Sequence, residues 1–524
     1  MRLDTLKIDE FKNLRKFEID FDQDSPTTVI VGRNGTGKSN LLEALVIIFR
    51  DLDLGERPAF KYKLQYFCRN HKVQIDADPT RERNAVEIKV DDEPISYRRF
   101  TQHEAREFLP TFVFGYYSGS SNRFETHFEK HQERFYRDLL NNVPSPLRPL
   151  FYARLVHSQF VLLSFFTQHN DETFHLLEEH LRIKELDSAL FIMKTPEWAR
   201  GKKEKKSKGG KSGTDGDPRF WNARGVVSDF LSRLYELSLA PMRLMPSRTE
   251  ENLYLYLQDN SALRMLASSY PNQQEFFKAL ESTYISDLIS EVRIRVRMRD
   301  ADGSLTFREL SEGEQQLLMV LGLLRFTNED ESLFLLDEPD THLNPVWSLR
   351  YLELIAAFVG EQQSSHILMA THDPLVIAGL EREQVQLMQR DEKTGHVYAD
   401  YPEESPRGMG IAALLTSDIY GLRSQLDLPT LRLLDERREL AVKDSLTADE
   451  KDRLRGLNNK LDQLGFTTTM RDPLYEPYVR AMTKAEKEEG LREPVLTPDQ
   501  QERHKELAVQ IVRELKSTES RGDD

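Results

Sequence analysis

The glycine-rich turn GRNGTGKS at residues 32–39 constrains this sequence more than any other feature. It follows TTVIVG, a short β-branched run typical of a buried central strand, and it precedes a helical pattern that starts at Asn40. The spacing G-x-x-x-x-G-K-[ST] between a strand and a helix is that of a P-loop. Such a loop turns successive backbone N–H groups toward phosphate, and the helix N-terminus adds a favourable partial charge. A chance glycine-rich turn would lack this flanking context, so we expect nucleotide binding.

The turn also predicts roles for individual side chains. Lys38 is expected to reach the β- and γ-phosphates, where it supports catalysis, and Ser39 to coordinate Mg²⁺. The full set of predicted nucleotide-binding residues in this segment is Gly32, Arg33, Asn34, Gly35, Thr36, Gly37, Lys38, Ser39 and Asn40.

A second motif, the acidic sequence LFLLDEP at residues 333–339, predicts a buried strand with two carboxylates at its end. Carboxylates in that position are costly unless a metal or a partner uses them. Asp337 is expected to hold Mg²⁺, largely through water, and Glu338 to orient or deprotonate the attacking water. The expected cofactors are therefore ATP and Mg²⁺.

A third motif, LSEGEQQ at residues 310–316, resembles the signature sequence of ABC-type ATPases, although Glu312 stands where many members have glycine. In that family the motif contacts the γ-phosphate of the nucleotide bound by the other subunit. The resemblance implies that Ser311, Gly313 and Glu314 bind nucleotide in trans. Ser311 and Glu314 also match a helix N-terminal capping box. Both interpretations hold together, because a capped helix N-terminus is what binds phosphate.

The order of the motifs resembles the SMC/Rad50/RecF-like group of ABC ATPases. Asp340 corresponds to the D-loop and His372, in MATHDP, to the switch histidine, while FKN at 11–13 lies near the start. The resemblance covers roughly residues 1–118 and 291–400, and it implies nucleotide held between two heads in a homodimer or a higher oligomer. The Q-loop glutamine has no assignment, but the YYSG turn at 116–119 should lie near that switch.

The predicted fold class is α/β: an ABC/SMC-type P-loop ATPase head split by a mainly helical insertion, with a helical C-terminal region. Helical periodicity is expected at 122–197 and 224–290, and an alternating strand at 292–300. The predicted domains are the N-terminal half of the head at 1–118, an insertion at 119–290 with a mobile Lys-rich loop at 201–217, the C-terminal half of the head at 291–404, and the C-terminal region at 405–524.

Composition and hydropathy indicate the cellular compartment and limit the kinds of partner that we expect. No run approaches the roughly 18 apolar residues that cross a membrane, and the N-terminus reads as a strand rather than a secretory signal. Cys68 is the only cysteine, which excludes an intrachain disulfide. These features predict a cytoplasmic protein without a membrane partner. The balance of 72 Lys+Arg against 87 Asp+Glu, a net charge of −15, argues against a protein that coats nucleic acid over its whole surface.

The overall size, the YYSG turn, the Lys-rich loop and the segment SPRGMGIAALLTSDIYGL at 405–422 resemble the PtuA family, the ATPase subunits of Septu-type anti-phage systems. Members pair with a separate HNH nuclease, and some lie in retron operons with a reverse transcriptase and its single-stranded DNA. The resemblance implies that the ATP state controls the nuclease of a partner. The region 405–524 is the predicted partner dock.

One alternative is an SMC- or RecF-like DNA clamp or repair ATPase without a nuclease partner. An OLD-type nuclease is disfavoured, because no strand ending in Glu-Gly and no Asp-x-Asp follows His372. The Lys-rich loop either touches nucleic acid or is a solvated linker. Four residues share one strand face that either binds a phosphate backbone or forms an exposed edge: Arg293, Arg295, Arg297 and Arg299.

Two histidine motifs are weaker. His127 and His131 lie one helical turn apart but lack a third metal ligand, so a metal site is not expected. His169-Asn170 resembles half of an HNH motif but lacks the ββα context.

Overall fold

The structure, a computed structural model, describes the chain except for residues 103–106, 141–148, 169–175, 200–215, 247–249, 300–303, 328–330, 360–363, 392, 444, 467–474, 494–495 and 520–524. The chain forms two compact units. The first contains residues 1–30 and 38–376, and the second contains 31–37 and 377–524. His169-Asn170 and nearly all of the Lys-rich loop lie outside the described residues.

An antiparallel sheet begins the first unit, and it includes the predicted N-terminal hairpin. Its strands alternate between buried apolar and exposed polar residues, so one face is available for the core. The order is β2-β1-β4-β5-β6-β7. The strands are β1 (Arg2–Phe11), β2 (Leu14–Asp20), β4 (Tyr62–Cys68), β5 (His71–Ala77), β6 (Val86–Val90) and β7 (Glu93–Ile95).

A parallel sheet positions the predicted chemistry. Its strands in the first unit run in the order β3-β16-β15-β8-β9. They are β3 (Thr27–Gly32), β16 (His366–Ala370), β15 (Leu333–Asp337), β8 (Val113–Tyr117) and β9 (Leu150–Tyr152). Every residue of β15 and β16 is buried, as expected for a sheet covered on both faces. Because parallel strands end at the same edge, the residues that follow them are gathered there.

The insertion differs from the sequence prediction. It contributes to a five-stranded sheet of order β11-β12-β10-β13-β14. These strands are β10 (Ile183–Lys194), β11 (Met242–Leu244), β12 (Asn252–Leu257), β13 (Ile289–Met298) and β14 (Ser304–Thr306). The expectation of helix is wrong at β9, β10, β11 and β12, which are strands. Helix-forming Leu, Ala, Glu and Lys make up half of β10, but pairing with strands on both sides overrides that preference.

The helices of the first unit pack around these sheets. Helix α4 of the insertion lies against α8, where a Cβ on Gly322 would be 2.0 Å from Val161 Cγ1. Only glycine permits this approach. Phe165 and Phe326 extend the contact, with ring centroids 5.5 Å apart. The helices are α1 (Lys38–Leu54), α2 (Tyr97–Gln102), α3 (Glu129–Leu140), α4 (Val156–Phe165), α5 (Gly225–Leu237), α6 (Asn260–Ala267), α7 (Gln273–Ile285), α8 (Glu312–Thr327) and α9 (Pro345–Val359), followed by α10 (Pro374–Ile377), which runs into the second unit.

The second unit contains a strand pair and the predicted C-terminal helices. Strands β17 (Val385–Arg390) and β18 (Val397–Asp400) are antiparallel. The last two helices share a core of Met482, Leu491, Leu507 and Ile511. Within the described part of the chain, no helix combines the length and the apolar character needed to cross a bilayer. The helices are α11 (Ile411–Thr416), α12 (Leu428–Ala441), α13 (Ala448–Gln463), α14 (Tyr475–Glu488) and α15 (Pro498–Glu519).

Candidate active site

The loop at residues 32–37 has the backbone of a phosphate-binding turn. Gly35 and Gly37 have φ values of +83° and +101°, which favour glycine. A Cβ on Gly32 would lie 2.3 Å from the Met388 carbonyl oxygen, so this position also requires glycine. Thr36 closes the turn, because its hydroxyl donates to the Arg33 carbonyl at 2.8 Å. Arg390 Nη2 donates to the Gly35 carbonyl at 3.2 Å and holds the tip of the loop.

Lys38 and Ser39 begin helix α1, and both interact with the acidic end of β15. Lys38 is buried, with 6% of its surface exposed. Burial lowers the pKa of Lys38, while the charges of Glu338 and Asp337 oppose that shift. The three charged groups therefore lie within electrostatic reach of one another. The structure brings together four of the predicted site residues: Lys38, Ser39, Asp337 and Glu338.

Asp337 is fully buried, and its environment suits a cation. Burial raises the pKa of Asp337 to about 6, although Ser39, Arg123 and Lys38 pull it down. Among the described residues, neither of its carboxylate oxygens makes a hydrogen bond of normal geometry. A buried carboxylate without such bonds is costly unless another group joins it. Together with the Ser39 hydroxyl, these oxygens offer the oxygen-only donor set that Mg²⁺ prefers.

The donor set also agrees with the way Mg²⁺ binds beside phosphates. In the described part of the chain, no cluster of three or more His, Cys, Asp or Glu side chains could hold a metal by itself. Mg²⁺ usually keeps several waters and takes one or two protein ligands plus phosphate oxygens. Ser39 and Asp337 fit that pattern.

Glu338 has an unusual backbone conformation. Its φ is +52°, a left-handed value that a non-glycine residue adopts at a cost of about 1–3 kcal/mol. Its N–H donates to the Ala370 carbonyl at 2.8 Å, which holds the conformation in place. The carboxylate is partly exposed, and its Oε1 lies 3.3 Å from His372 Nδ1. The structure thus pairs the predicted general base with the predicted switch histidine.

Asp340, the predicted D-loop residue, is buried beside β16. Thr371 Oγ1 donates to Asp340 Oδ2 at 2.5 Å. Burial raises the pKa of this carboxyl to about 6, and the Thr371 hydrogen bond acts in the opposite direction. The Thr371 N–H donates to the Ile30 carbonyl at 3.1 Å. Asp340 is therefore tied through Thr371 to the strand that precedes the phosphate-binding loop.

The signature turn forms the predicted capping box at the start of α8. The Ser311 hydroxyl and N–H both donate to Glu314 Oε2 at 2.7 Å, and the Glu314 N–H donates back to the Ser311 hydroxyl at 3.3 Å. A Cβ on Gly313 would lie 2.3 Å from the His342 carbonyl, so the turn packs against the segment that follows Asp340. Ser311 is exposed and is available to a second subunit. Its predicted role in trans stays a prediction.

A charge cluster around Glu43 was not predicted. Lys12 Nζ lies 2.5 Å from Glu43 Oε1, His127 Nε2 lies 3.1 Å from the same oxygen, and Arg123 Nε lies 3.0 Å from Oε2. Burial opposes ionisation, but these hydrogen bonds lower the pKa of Glu43 to about 2. The cluster fastens α1 to the N-terminal hairpin and to the segment after β8. The FKN motif, which contains Lys12, was the available signal.

Asn40 and the YYSG turn also lie near this edge of the sheet. Asn40 Nδ2 donates to Asn13 Oδ1 at 2.6 Å, so the FKN motif contacts the start of α1 directly. The Ser118 N–H donates to the Asp337 carbonyl at 3.2 Å, and the Thr341 hydroxyl lies 3.3 Å from the Ser118 hydroxyl. The YYSG turn therefore reaches the acidic motif.

Weaker candidates have structural partners. His131 Nε2 lies 2.8 Å from Asp53 Oδ2, and His127 belongs to the Glu43 cluster, so neither histidine faces a metal ligand set. The arginine face lies on β13, an interior strand, and therefore is not a sheet edge. Arg293 pairs with Glu291 on the same strand, and Arg297 pairs with Glu185 on the neighbouring strand β10.

Sequence comparisons agree with this geometry. A family profile described as "AAA ATPase domain" matches residues 1–143. A second profile, an "AAA domain" family whose description names the AbiEii toxin and a "Type IV TA system", matches residues 128–378. A curated relative is the Septu protein PtuA of Bacillus mycoides (strain KBAB4), which is 27% identical over 208 residues. This chain is similar to PtuA. The alignment covers 37% of this chain and only 28% of the length of the Bacillus protein.

Solved structures with detectable similarity include SMC heads. The SMC head domain from Thermotoga maritima is 14% identical, with a TM-score of 0.32 over 77% of this chain and 100% of that chain. Stu0660 of Streptococcus thermophilus is 10% identical, with a TM-score of 0.28 over 90% of this chain and 97% of that chain. The P-loop ATPase head is evident from the strand order, the motifs at the sheet edge and the ATPase profiles.

Proposed function

We propose that this chain is the ATP-hydrolysing regulatory subunit of an anti-phage defence complex, in which two heads close on ATP and thereby control a partner nuclease of the HNH class. One observation carries the ATPase part of the proposal. The carboxylate of Asp337 is fully buried and makes no hydrogen bond of normal geometry within the described residues. It lies close to Lys38, Ser39 and Glu338. The similarity to PtuA supports the defence part.

The side chains divide the chemistry among them. Lys38 neutralises charge on the terminal phosphates, and its burial strengthens that interaction. Ser39 and Asp337 would hold Mg²⁺, which when bound would neutralise phosphate charge and orient the phosphates for in-line attack. Glu338 accepts the proton of the attacking water, since its carboxylate is partly exposed at the end of the strand.

His372 positions the general base. Its Nδ1 lies 3.3 Å from Glu338 Oε1, so the imidazole restrains the carboxylate. A histidine at this position also offers its other ring nitrogen to a terminal phosphate oxygen. The second nucleotide contact is proposed to come from Ser311 and Gly313 of a partner copy. The Ser311 hydroxyl then exchanges its bond to Glu314 for one to phosphate.

The assembly is tested by affinity purification of the tagged chain from its native operon, with a Lys38→Ala chain as the matched control. Co-purification of an HNH nuclease supports the proposal, and a reverse transcriptase with single-stranded DNA assigns the complex to the retron-associated form. Recovery of the chain alone, or with duplex DNA only, contradicts the defence role and favours the SMC- or RecF-like clamp. Loss of the partner from the Lys38→Ala chain would show that nucleotide binding controls assembly.

A further inference from the structure

A cavity of about 380 Å³ opens beside the phosphate-binding loop, entirely within the second unit. One wall is the loop at 32–36 with strand residues 387–390, and the other is built by the C-terminal region from residues 418–420, 496–498 and Gln501. This volume lies within the range of about 300–1,000 Å³ that is usual for small-molecule sites. The C-terminal region therefore lines a ligand-sized space next to a loop shaped for phosphate.

The C-terminal wall is a fixed structure. The Leu496 N–H donates to the Gly421 carbonyl at 3.0 Å, and the Gly421 N–H donates to the Ser417 carbonyl at 2.8 Å. Gly421 has a φ of +67°, and a Cβ there would lie 2.8 Å from the Leu496 carbonyl oxygen. Glycine is therefore required for the two C-terminal segments to meet. These hydrogen bonds join the two segments into one wall of the cavity.

The lining has the chemistry of a nucleoside site. Ile419 and Leu387 are apolar lining residues, and Tyr420 adds an aromatic ring of the kind on which a base can stack. The amide of Gln389 is oriented by the Tyr398 hydroxyl, which donates to its carbonyl at 2.6 Å. Amides of this kind recognise the edges of bases through paired donors and acceptors.

A carboxylate completes the cavity. Asp418 Oδ2 accepts the Glu403 N–H at 2.9 Å, so the carboxylate is held in place at the cavity wall. A carboxylate beside bound phosphates would repel them, whereas it is a favourable acceptor for ribose hydroxyls, as in dinucleotide-binding folds. The lining therefore combines a phosphate-binding loop, a carboxylate and an aromatic ring, which are groups that suit phosphate, ribose and base.

We propose that the C-terminal region supplies the nucleoside subsite of the ATP site, with Tyr420 stacking on the base and Asp418 facing the ribose. This inference rests on the ATP binding proposed above and deepens it. It assigns to residues 418–420, 496–498 and Gln501 a direct role in ligand recognition, beyond the role of a partner dock.

The test compares ATP with inorganic tripolyphosphate, which has the phosphates but no nucleoside. Binding of each ligand to the full-length chain is measured by calorimetry for the wild type, Tyr420→Ala and Tyr420→Phe. Tyr401→Ala is the matched control, because Tyr401 lies in the same unit but does not line the cavity. Tyr420→Ala should raise the Kd for ATP roughly 5- to 150-fold, the range expected when one stacked aromatic is lost. Tripolyphosphate should bind this variant as it binds the wild type, and Tyr420→Phe should bind both ligands normally.

The outcomes separate the two proposals. If the wild type binds both ligands and Tyr420→Ala binds ATP equally well, the nucleoside subsite is refuted while ATP binding stands. If Tyr420→Ala weakens both ligands by the same factor, the residue supports the loop structurally and the subsite is again refuted. If the wild type binds neither ligand, the proposed ATPase function itself fails.

Discussion

Glu43 offers a prediction whose magnitude follows from the structure. This carboxylate is 95% covered and accepts hydrogen bonds from Lys12, Arg123 and His127, which together lower its pKa from an ordinary 4.5 to about 2. Such a fall corresponds to roughly 3 kcal/mol of extra stability in the ionised form. Because the folded-state pKa is the lower one, this stability is present above pH 4.5 and is lost as the pH falls toward 2. Glu43→Gln should therefore destabilise the first unit by about 2–3 kcal/mol at pH 7.

The assay is urea unfolding followed by tryptophan fluorescence. All three tryptophans, Trp198, Trp221 and Trp347, lie in the first unit, so the signal reports on the unit that contains Glu43. The difference between wild type and Glu43→Gln should shrink by roughly 1.4 kcal/mol between pH 7 and pH 3.5, as the titration between the two pKa values requires.

Glu18→Gln is the matched control. Glu18 pairs with Lys7 on the surface, and both side chains are 52% exposed, so its loss should cost about 0–1 kcal/mol. The reasoning is refuted if Glu43→Gln costs no more than Glu18→Gln at pH 7, or if its cost does not change with pH.

Two further predictions concern the D-loop and the signature turn. Thr371→Val removes the hydrogen bond to the buried Asp340 carboxylate and should cost about 1–3 kcal/mol of stability, measured by the same urea unfolding; an unchanged midpoint would show that Asp340 does not depend on Thr371. Ser311→Arg places a bulky cation at an exposed turn, so ATP binding to the isolated chain should persist while ATP-dependent dimerisation and hydrolysis are lost. Calorimetry measures ATP binding by this variant, and light scattering measures its dimerisation. An ATP-dependent dimer of this variant would exclude the arrangement in trans.

The sequence predicted those elements whose signal is local. The strands β3, β15 and β16 follow from short apolar runs beside glycine or acidic motifs, and each is confirmed. The capping box of Ser311 and Glu314 is equally local, because three residues of spacing define it, and the structure confirms it. In these segments, the secondary-structure propensity of the residues, the hydrophobic pattern and the turn residues all favour the same structure.

The sheet of the insertion was not predicted, because its strands pair with segments that are distant in sequence. Strand β10 pairs with β12 and β13, which lie tens of residues later in the chain, and its composition favours helix. Strand β12 did carry a usable signal, since Leu253, Leu255 and Leu257 alternate with polar or exposed positions and are all buried.

The site required tertiary contacts that no motif encodes. The Glu43 cluster joins residues 31 to 84 positions apart in sequence, and the link between Asp340 and Thr371 spans 31 positions. The cavity beside the phosphate-binding loop needs the C-terminal region to fold back toward residues 32–36, which periodicity alone does not indicate. The helical prediction for that region was right, but the structure adds the wall that its loops form.

The central claim is that Glu338 is the base of an ATPase that closes as a dimer. The most direct test measures phosphate release and mass in solution for wild type and Glu338→Gln, with Glu353→Gln as a control at an exposed glutamate on α9. Glu338→Gln should still bind ATP, should hydrolyse it about 10²- to 10⁴-fold more slowly, and should accumulate as a dimer in ATP. The control should match the wild type. Normal turnover by Glu338→Gln, or a monomer that persists in saturating ATP, would contradict the account.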